Sequence, residues 1–358
     1  MPTYRADLEA IPTYSPGKPI AEVSRELGLT NIAKLASNES PTEPFPEVVA
    51  AISAAATDLN RYPENSGYYL VNALAERHGV DPNQVWLGAG STQLLGCIAL
   101  SVGGPGTSAL FARPSFVMYA IASLVAGTGP IEVPLDEDWR HDLDAMRAAI
   151  RGDTTAVYLC NPNNPTGTYR SSSDVAAFID AVPDRVLVVV DEAYHDYVTA
   201  ADYASALPIA SERDNVVVTR TFSKIYGLAG LRIGYAIGNA DTIAKLKTTQ
   251  PPFSASSIAQ VAALESLAHD VHVAERADAN TEGRLQLEQG LTERGIEHAP
   301  SQANFVAMMI DESAEIADRL LKEGVIVRPM GPIIRVTVGT EGENRRFLRA
   351  LDAVGVTP

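Results

Sequence analysis

The feature that most limits how this chain can fold is a set of short, continuously apolar runs. Residues 186–190 are Val-Leu-Val-Val-Val, and residues 216–219 are Val-Val-Val-Thr. Such runs are typical of strands buried on both faces, because a strand with one exposed face alternates apolar and polar residues. The pattern predicts seven strands, at Val85–Gly88, Thr107–Phe111, Pro130–Pro134, Thr155–Cys160, Val186–Asp191, Asn215–Thr219 and Arg232–Ile237.

Amphipathic helical patterns separate the earlier of these strands. They cover Thr92–Val102, Phe116–Ala126, Leu143–Ile150 and Ser173–Val182. Strands that alternate with helices are joined most simply by parallel crossovers, which place helices on both faces of one sheet. The sequence therefore predicts an α/β fold with a seven-stranded, mostly parallel sheet.

The pattern changes after Pro251 and Pro252. A long helical region is predicted from about Ser256 to Gly290. Strands are predicted after it at Asn304–Met309, Val325–Arg328 and Ile333–Val338, and helices at Ala314–Glu323 and Glu343–Ala353. Four prolines in the first 19 residues indicate an extended arm at the N-terminus. We expect an arm of residues 1–40 that packs with the small domain, a large domain of residues 41–245 and a small α/β domain of residues 246–358.

Charge and composition exclude several classes of protein. Lys and Arg number 28 against 44 Asp and Glu, which gives a net charge of −16 and argues against binding to nucleic acid or to an anionic membrane. The two cysteines, Cys97 and Cys160, have no Cys or His at metal-ligand spacing, so neither a disulfide scaffold nor a metal site is expected. No signal peptide or membrane-spanning run is evident, and we expect a cytoplasmic protein.

Polar residues that could carry chemistry follow the predicted strands, where open parallel sheets bind their ligands. Each segment alone has a plain structural interpretation: a turn for Asn161–Gly167, a helix N-cap for Asp191 and a surface position for Lys224. The segments are Gly88-Ala-Gly-Ser-Thr-Gln93, Asn161-Pro-Asn-Asn-Pro-Thr-Gly167, Asp191-Glu-Ala-Tyr194 and Arg220-Thr-Phe-Ser-Lys224.

Taken together, these segments suit a phosphorylated, cationic heteroaromatic aldehyde. A lysine can hold the aldehyde as a Schiff base, and a carboxylate can pair with the ring nitrogen. A helix N-terminus with hydroxyl groups and a nearby guanidinium can bind the phosphate. The sequence thus points to pyridoxal 5′-phosphate (PLP). A dinucleotide is disfavoured because Gly88-Ala-Gly90 lacks the third glycine of that fingerprint.

Longer motifs resemble the fold-type-I aminotransferases of the histidinol-phosphate aminotransferase family. They are Thr221-Phe-Ser-Lys-Ile-Tyr-Gly-Leu-Ala-Gly-Leu-Arg-Ile-Gly234, Asn163-Asn-Pro-Thr-Gly167 and Asp191-Glu-Ala-Tyr194, with further matches at Ala36–Glu39, Asn60–Pro63, Ser301–Phe305 and Arg335–Gly339. The resemblance spans essentially the whole chain. It implies a PLP-dependent transferase that acts on amino acids and 2-oxo acids.

The resemblance also implies roles for individual residues. Lys224 would be the catalytic residue that holds the cofactor and moves a proton, and Asp191 would pair with the ring nitrogen. Tyr194 and Asn164 would contact the ring oxygen, and Phe116 would stack on the ring. The phosphate would be bound by Ser91, Thr92, Thr221, Ser223 and Arg232, and by Tyr62 of a neighbouring subunit, which implies a homodimer with shared active sites.

Substrate binding is expected to involve four residues. Arg335 would bind the substrate carboxylate with support from Asn304, and Asn38 and Tyr14 would also contact the substrate.

Two departures from the usual family pattern indicate which amino donor to expect. The segment Pro329–Ile334 is short, and the helix after Gly90 begins Ser-Thr-Gln without an acidic pair. Both features resemble the actinobacterial phenylalanine aminotransferases, and Tyr14, Ile20 and Met330 could line an apolar slot. We therefore expect transfer between an aromatic L-amino acid (phenylalanine, tyrosine or tryptophan) and 2-oxoglutarate. Histidinol phosphate is the alternative donor, and a PLP-dependent decarboxylase is a third hypothesis.

Overall fold

The N-terminal segment is only partly extended. The computed structural model describes residues 2–13 and 16–356. Within them, helix α1 spans Ile20–Leu27, and strand β1 spans Ala33–Lys34 and pairs in parallel with residues 325–326. The prediction of a wholly extended arm is wrong at α1, because the prolines all precede the helix, where proline is tolerated, and Val23 is buried.

The central element is a seven-stranded sheet. Helices α2 (Pro46–Ala55) and α3 (Tyr68–His78) precede it along the chain. Its strands are β2 (Val85–Gly88), β3 (Ser108–Arg113), β4 (Gly129–Pro134), β5 (Thr154–Cys160), β6 (Leu187–Asp191), β7 (Val216–Thr221) and β8 (Gly234–Gly238).

The order of the strands is β2-β8-β7-β6-β5-β3-β4. Strand β8 runs antiparallel to β2 and β7, and the other neighbouring pairs are parallel. The predicted seven-stranded, mostly parallel sheet is thereby confirmed. The predicted strand ends differ from the observed ones by at most two residues, as is usual where hydrogen bonding fades at the end of a strand.

Both faces of this sheet are buried, as the apolar runs predict. Val188 and Val190 pack into the core on one face with α2 and α3, whereas Leu187 and Val189 pack into the core on the other. The covering helices that follow are α4 (Ser91–Val102), α5 (Met118–Ala126), α6 (Leu143–Ala148), α7 (Ser172–Ala181), α8 (Leu207–Glu212) and α9 (Ala240–Leu246).

A smaller sheet lies in the C-terminal part of the chain. The elements here are α10 (Ser257–Ser266), α11 (Asp270–Glu293), β9 (Phe305–Met309), α12 (Ser313–Lys322), β10 (Val325–Ile326), β11 (Arg328–Pro329), β12 (Ile333–Thr337) and α13 (Glu341–Ala353). Strands β11, β12 and β9 form an antiparallel sheet in that order, and β10 pairs with β1. A separate core beneath this sheet contains Leu287, Val306 and Phe347.

Two predicted elements of this region are wrong in detail. The helical region from Ser256 to Gly290 is two helices, and α10 contributes Ala259 and Ala263 to the core of the large sheet. The predicted strand Val325–Arg328 is divided between β10 and β11, because its two ends pair with different partners. The boundaries of the arm and the two domains remain predictions.

None of the helices within the described residues has the length and apolar character that spanning a bilayer requires.

The register of the central strands places polar residues together at one edge. Cys160 of β5 lies beside Asp191 of β6, and Asp191 lies beside Thr219 of β7. These strands are parallel, so the loops that leave their carboxyl ends all begin at this edge. The edge is therefore the part of the sheet where side chains from distant segments meet.

A buried ion pair joins the loops at this edge. Glu192 is 2% exposed, and its carboxylate accepts hydrogen bonds from Nε and Nη2 of Arg220 at 3.0 and 2.8 Å. The same carboxylate accepts the backbone N–H of Ala206 at 2.7 Å. Burial alone would raise the pKa of Glu192, but Arg220 and the hydrogen bonds hold that pKa below its ordinary value. The pair fixes the backbone next to Asp191 and Thr221.

We expect Glu192→Gln to lower the free energy of unfolding by about 3–5 kcal/mol, because it leaves a buried guanidinium without a counter-charge. The pKa of Glu192 is lowered in the folded state, so its contribution is complete above its ordinary pKa of about 4.3 and is lost as the pH falls through the folded value. Urea unfolding measured across this pH range tests both statements.

The matched control is Asp180→Asn, which removes the carboxylate that Arg213 contacts at 2.5 Å at a position 74% exposed. Solvent screens that pair, so Asp180→Asn should lower the free energy of unfolding by less than about 1 kcal/mol. Equal losses in the two variants would contradict the importance of the buried pair.

Candidate active site

A cavity of about 460 Å³ opens at the carboxyl ends of β5, β6 and β7. Its lining residues come from the arm, both sheets and the loops between them. The predicted site residues in its wall are Asn38, Ser91, Thr92, Phe116, Asn164, Asp191, Tyr194, Thr221, Ser223, Lys224, Arg232 and Arg335. Segments far apart in the sequence thus meet around a single cavity.

Asp191 supplies the acid of the cavity. Its carboxylate is 2% exposed and accepts the hydroxyl of Tyr119 at 2.8 Å and the N–H of Ala193 at 3.3 Å. Burial raises the pKa of Asp191 above its ordinary value, and the bond from Tyr119 opposes the rise. The carboxylate therefore suits a cationic partner in the cavity, which would compensate its charge.

Lys224 supplies the amine of the cavity. It lies on the loop after β7, and its Nζ is 5.6 Å from the centroid of the Tyr194 ring. Burial lowers the pKa of Lys224 to about 8, and the positive charge of Arg335 contributes to the shift. An appreciable fraction of the amine is therefore neutral near neutral pH, as a nucleophilic lysine requires.

The N-terminus of α4 forms an anion-binding cradle. Gly90 has a φ of 78°, and a Cβ there would lie only 2.5 Å from Nη2 of Arg232. Arg232 also donates from Nη1 to the hydroxyl of Ser223 at 3.3 Å. The guanidinium can approach the first turn of α4, with Ser91 and Thr92, only because residue 90 has no side chain. Helix N–H groups, hydroxyls and a guanidinium together suit a phosphate.

Arg335 connects the two sheets at the cavity. It projects from β12, and its Nη1 donates to Oδ1 of Asn164 at 2.6 Å while its Nη2 donates to the carbonyl of Ala36 at 2.8 Å. Asn164 is held by a loop whose Gly167 has a φ of 76° and contacts Ser301 too closely for any side chain. The guanidinium is therefore fixed in position at the cavity wall.

Asn38 and Asn304 form a layer behind Tyr194. The amide of Asn38 donates to the hydroxyl of Tyr194 at 2.9 Å, and the amide of Asn304 donates to the backbone carbonyl of Asn38 at 3.1 Å. Asn304 is not part of the wall around Lys224 and instead lines a neighbouring cavity of about 500 Å³. In this conformation it supports Asn38, and not the side chain of Arg335 as the sequence analysis expected.

Other predicted site residues do not line the cavity. Tyr62 is 82% exposed and stacks on Phe253 at a centroid distance of 4.6 Å. Ile20 is exposed and Met330 is half-buried outside the cavity, so they do not form the expected apolar slot. Tyr14 lies outside the described residues.

Arg328 lines the cavity, although the sequence analysis did not single it out. Residues 328 and 335 are directly opposite each other in the β11–β12 pair. Directly opposite residues of an antiparallel pair point to the same face. The signal was present in the sequence, because Arg328 and Arg335 flank one short hairpin.

The donor set fits PLP. A lysine of lowered pKa, a buried carboxylate and a phosphate cradle line one cavity. The closeness of Gly90 to Arg232 indicates that the backbone at residue 90 leaves room for the guanidinium of the cradle.

Comparison with known proteins agrees with this geometry. The family described as aminotransferase class I and II matches residues 30–351. Histidinol-phosphate aminotransferase 2 of Hydrogenovibrio crunogenus is 42% identical over 351 residues, which cover 96% of this chain and 94% of the relative. Histidinol-phosphate aminotransferase 1 of Thiobacillus denitrificans is 45% identical over 354 residues, which cover 97% of this chain and 92% of the relative.

A solved structure supports the same relationship. The histidinol-phosphate aminotransferase of Sinorhizobium meliloti in complex with PLP has a TM-score of 0.90 and is 30% identical, covering 98% of this chain and 97% of that one. These names overturn the expectation of an aromatic amino acid donor, and they do not support a closest relationship to the phenylalanine aminotransferases. The short segment Pro329–Ile334, one of the two features on which that expectation rested, contains the turn of the hairpin that brings Arg328 and Arg335 together.

The cavity chemistry, the family match and the nearly full-length relatives agree. The chain belongs to the class I and II aminotransferases, of the histidinol-phosphate aminotransferase type, and it is a PLP-dependent enzyme.

Proposed function

We propose that this enzyme transfers the amino group of histidinol phosphate to 2-oxoglutarate. The observation that carries the proposal is that Arg328 and Arg335 line the cavity of Lys224. A phosphate dianion is bound best by guanidinium groups, whereas an aromatic side chain needs apolar surface. The names of the relatives at 42% and 45% identity support the same donor.

Different residues of the cavity would have different chemical roles. When bound, PLP supplies an aldehyde for the amino group and a ring that accepts electron density from the neighbouring carbon. Lys224 would hold the cofactor and then move a proton to and from the carbon that bears the amino group. Asp191 would keep the ring nitrogen protonated by providing its counter-charge.

Other residues would hold cofactor and substrate in place. Tyr194 and Asn164 would bind the ring oxygen, and Phe116 would cover one face of the ring. Ser91, Thr92, Thr221, Ser223 and Arg232 would bind the cofactor phosphate. Arg335 would bind the α-carboxylate of 2-oxoglutarate, and Arg328 would bind the phosphate of histidinol phosphate, with Asn38 holding the Tyr194 hydroxyl behind them.

We also propose a homodimer in which Tyr62 completes the phosphate site of the partner. Tyr62 and the stacked Phe253 are both exposed and lie outside the chain's own cavity. Exposed Tyr68 and Tyr69 follow closely in the sequence. Tyrosine is enriched in protein interfaces, so these exposed side chains suit one.

A panel of amino donors with 2-oxoglutarate tests the donor. We expect kcat/KM for histidinol phosphate to exceed that for phenylalanine, tyrosine and histidinol by about 100-fold or more, because a donor without the phosphate makes no charge-assisted hydrogen bonds with Arg328. Equal or higher values for phenylalanine would refute the proposal and leave the PLP chemistry intact.

The contribution of Arg328 can be measured in the same assay. Arg328→Met should lower kcat/KM for histidinol phosphate by about 10–100-fold, through the loss of a charge-assisted hydrogen bond. Arg147→Met is the matched control, because Arg147 is 57% exposed on α6 and pairs with the exposed Asp144. An effect of equal size in both variants would remove Arg328 from the substrate site.

Mixed dimers test the shared site. Sedimentation of the native protein should give a mass of about twice the 38.1 kDa of one chain. Tyr62→Ala should weaken PLP binding by about ten-fold. A mixed dimer of Tyr62→Ala and Lys224→Ala subunits should regain one intact site, because the Lys224→Ala subunit lends its Tyr62. A mixed dimer with no intact site would show that Tyr62 does not act across the interface.

A further inference from the structure

We propose that Tyr119 is a positioning residue that holds the carboxylate of Asp191 in place from behind. This goes beyond the proposed donor and rests only on the assignment of Asp191 to the cofactor ring. Tyr119 was not predicted from the sequence as part of the site. It is fully buried and does not line the cavity, so it acts through Asp191 and not on the substrate.

The position of Tyr119 is fixed by aromatic contacts. Its ring stacks on Tyr158 at a centroid distance of 5.0 Å and an interplanar angle of 12°, and Phe116 contacts it edge-on at 5.6 Å and 89°. The stacked ring points its hydroxyl at Oδ2 of Asp191 at 2.8 Å. Phe116 lines the cavity. One aromatic cluster thus connects the expected stacking residue to the carboxylate.

The surroundings of Asp191 make this hydrogen bond important. The groups that face the carboxylate are Tyr119 from α5, Cys160 from β5, Thr219 from β7, and Tyr194 and Lys224 from the loops. Only Lys224 among them carries a positive charge. A carboxylate buried in this way would tend to take up a proton, which would leave the ring cation without a counter-charge.

The phenol of Tyr119 is suited to prevent that. Burial and the neighbouring Asp191 raise its pKa well above the ordinary value, so it stays a hydrogen-bond donor throughout the working pH range. A neutral donor stabilises the ionised carboxylate without competing as a second cation. The hydrogen bond therefore favours the ionised form of the acid and orients the carboxylate before the cofactor arrives, which reduces the cost of binding.

The chain offers a matched pair of variants. Tyr119→Phe and Tyr158→Phe each remove one hydroxyl from the same pair of stacked rings. The Tyr158 hydroxyl has no hydrogen-bond partner among the described residues, whereas that of Tyr119 contacts Asp191. PLP is titrated into the apoproteins and its Kd is measured by fluorescence quenching, with far-UV circular dichroism as the check on folding.

We expect Tyr119→Phe to raise the Kd for PLP by about ten-fold, since hydrogen bonds to charged groups are worth that much or more. The increase should be larger at about pH 6 than at about pH 8, because the carboxyl of Asp191 without its donor takes up a proton at higher pH. Tyr158→Phe should change the Kd by less than about two-fold at either pH. Equal effects of the two variants, or no pH dependence of the increase, would overturn the proposal.

A double-mutant cycle separates this role from general packing. In an Asp191→Asn background the further change Tyr119→Phe should alter the Kd by less than about two-fold, because the charged partner is already gone. An undiminished effect in that background would overturn the proposal. If Asp191→Asn alone leaves the Kd unchanged, the assignment of Asp191 fails with it. If the donor panel refutes histidinol phosphate as the donor, these measurements are unaffected, because they are made without substrate.

Discussion

The constraint on which the site depends is the shared edge of three parallel strands. Strands β5, β6 and β7 are buried on both faces, so charged side chains can appear only where the strands end. Their register places Cys160, Asp191 and Thr219 side by side, and the loop after β7 carries Lys224 to the same edge. The buried carboxylates of Asp191 and Glu192 must be paired, because solvent hardly reaches them. The Glu192–Arg220 pair meets that need beside the cavity, and the cofactor ring would meet it within the cavity.

The small sheet supplies what the large sheet lacks. The large sheet offers an amine, an acid and a phosphate cradle, which suit any PLP enzyme. The hairpin between β11 and β12 adds Arg328 and Arg335, and the bond from Arg335 to Asn164 attaches that hairpin to the large sheet. In the proposed function, the chemistry common to the family and the choice of substrate would thus lie on different parts of the chain. This division explains why a reliable prediction of the cofactor can accompany a wrong prediction of the donor.

The central sheet and most of the cavity could be predicted because each depends on local patterns. A run such as Val186–Val190 indicates two-sided burial without knowledge of its partners, and Asp191 and Lys224 each follow such a run. Helix α1 was not predicted, because the prolines that precede it indicated an extended segment. The donor was wrong because the hairpin was judged by its length and not by the register that pairs Arg328 with Arg335. Tyr119 was missed because its partner lies 72 residues away, and only the fold brings the two together.

The central claim, that Lys224 holds the cofactor, has one direct test. Borohydride reduction of the PLP-loaded protein, followed by mass mapping of its peptides, locates the lysine that carries the cofactor. Lys247 is an informative competitor, because burial lowers the pKa of Lys247 as well, although its amine donates to the carbonyl of Val85 at 2.8 Å. We expect the label on the peptide that contains Lys224, and none there in a Lys224→Ala variant. Label on Lys247 or another lysine in the native protein would contradict the site described above.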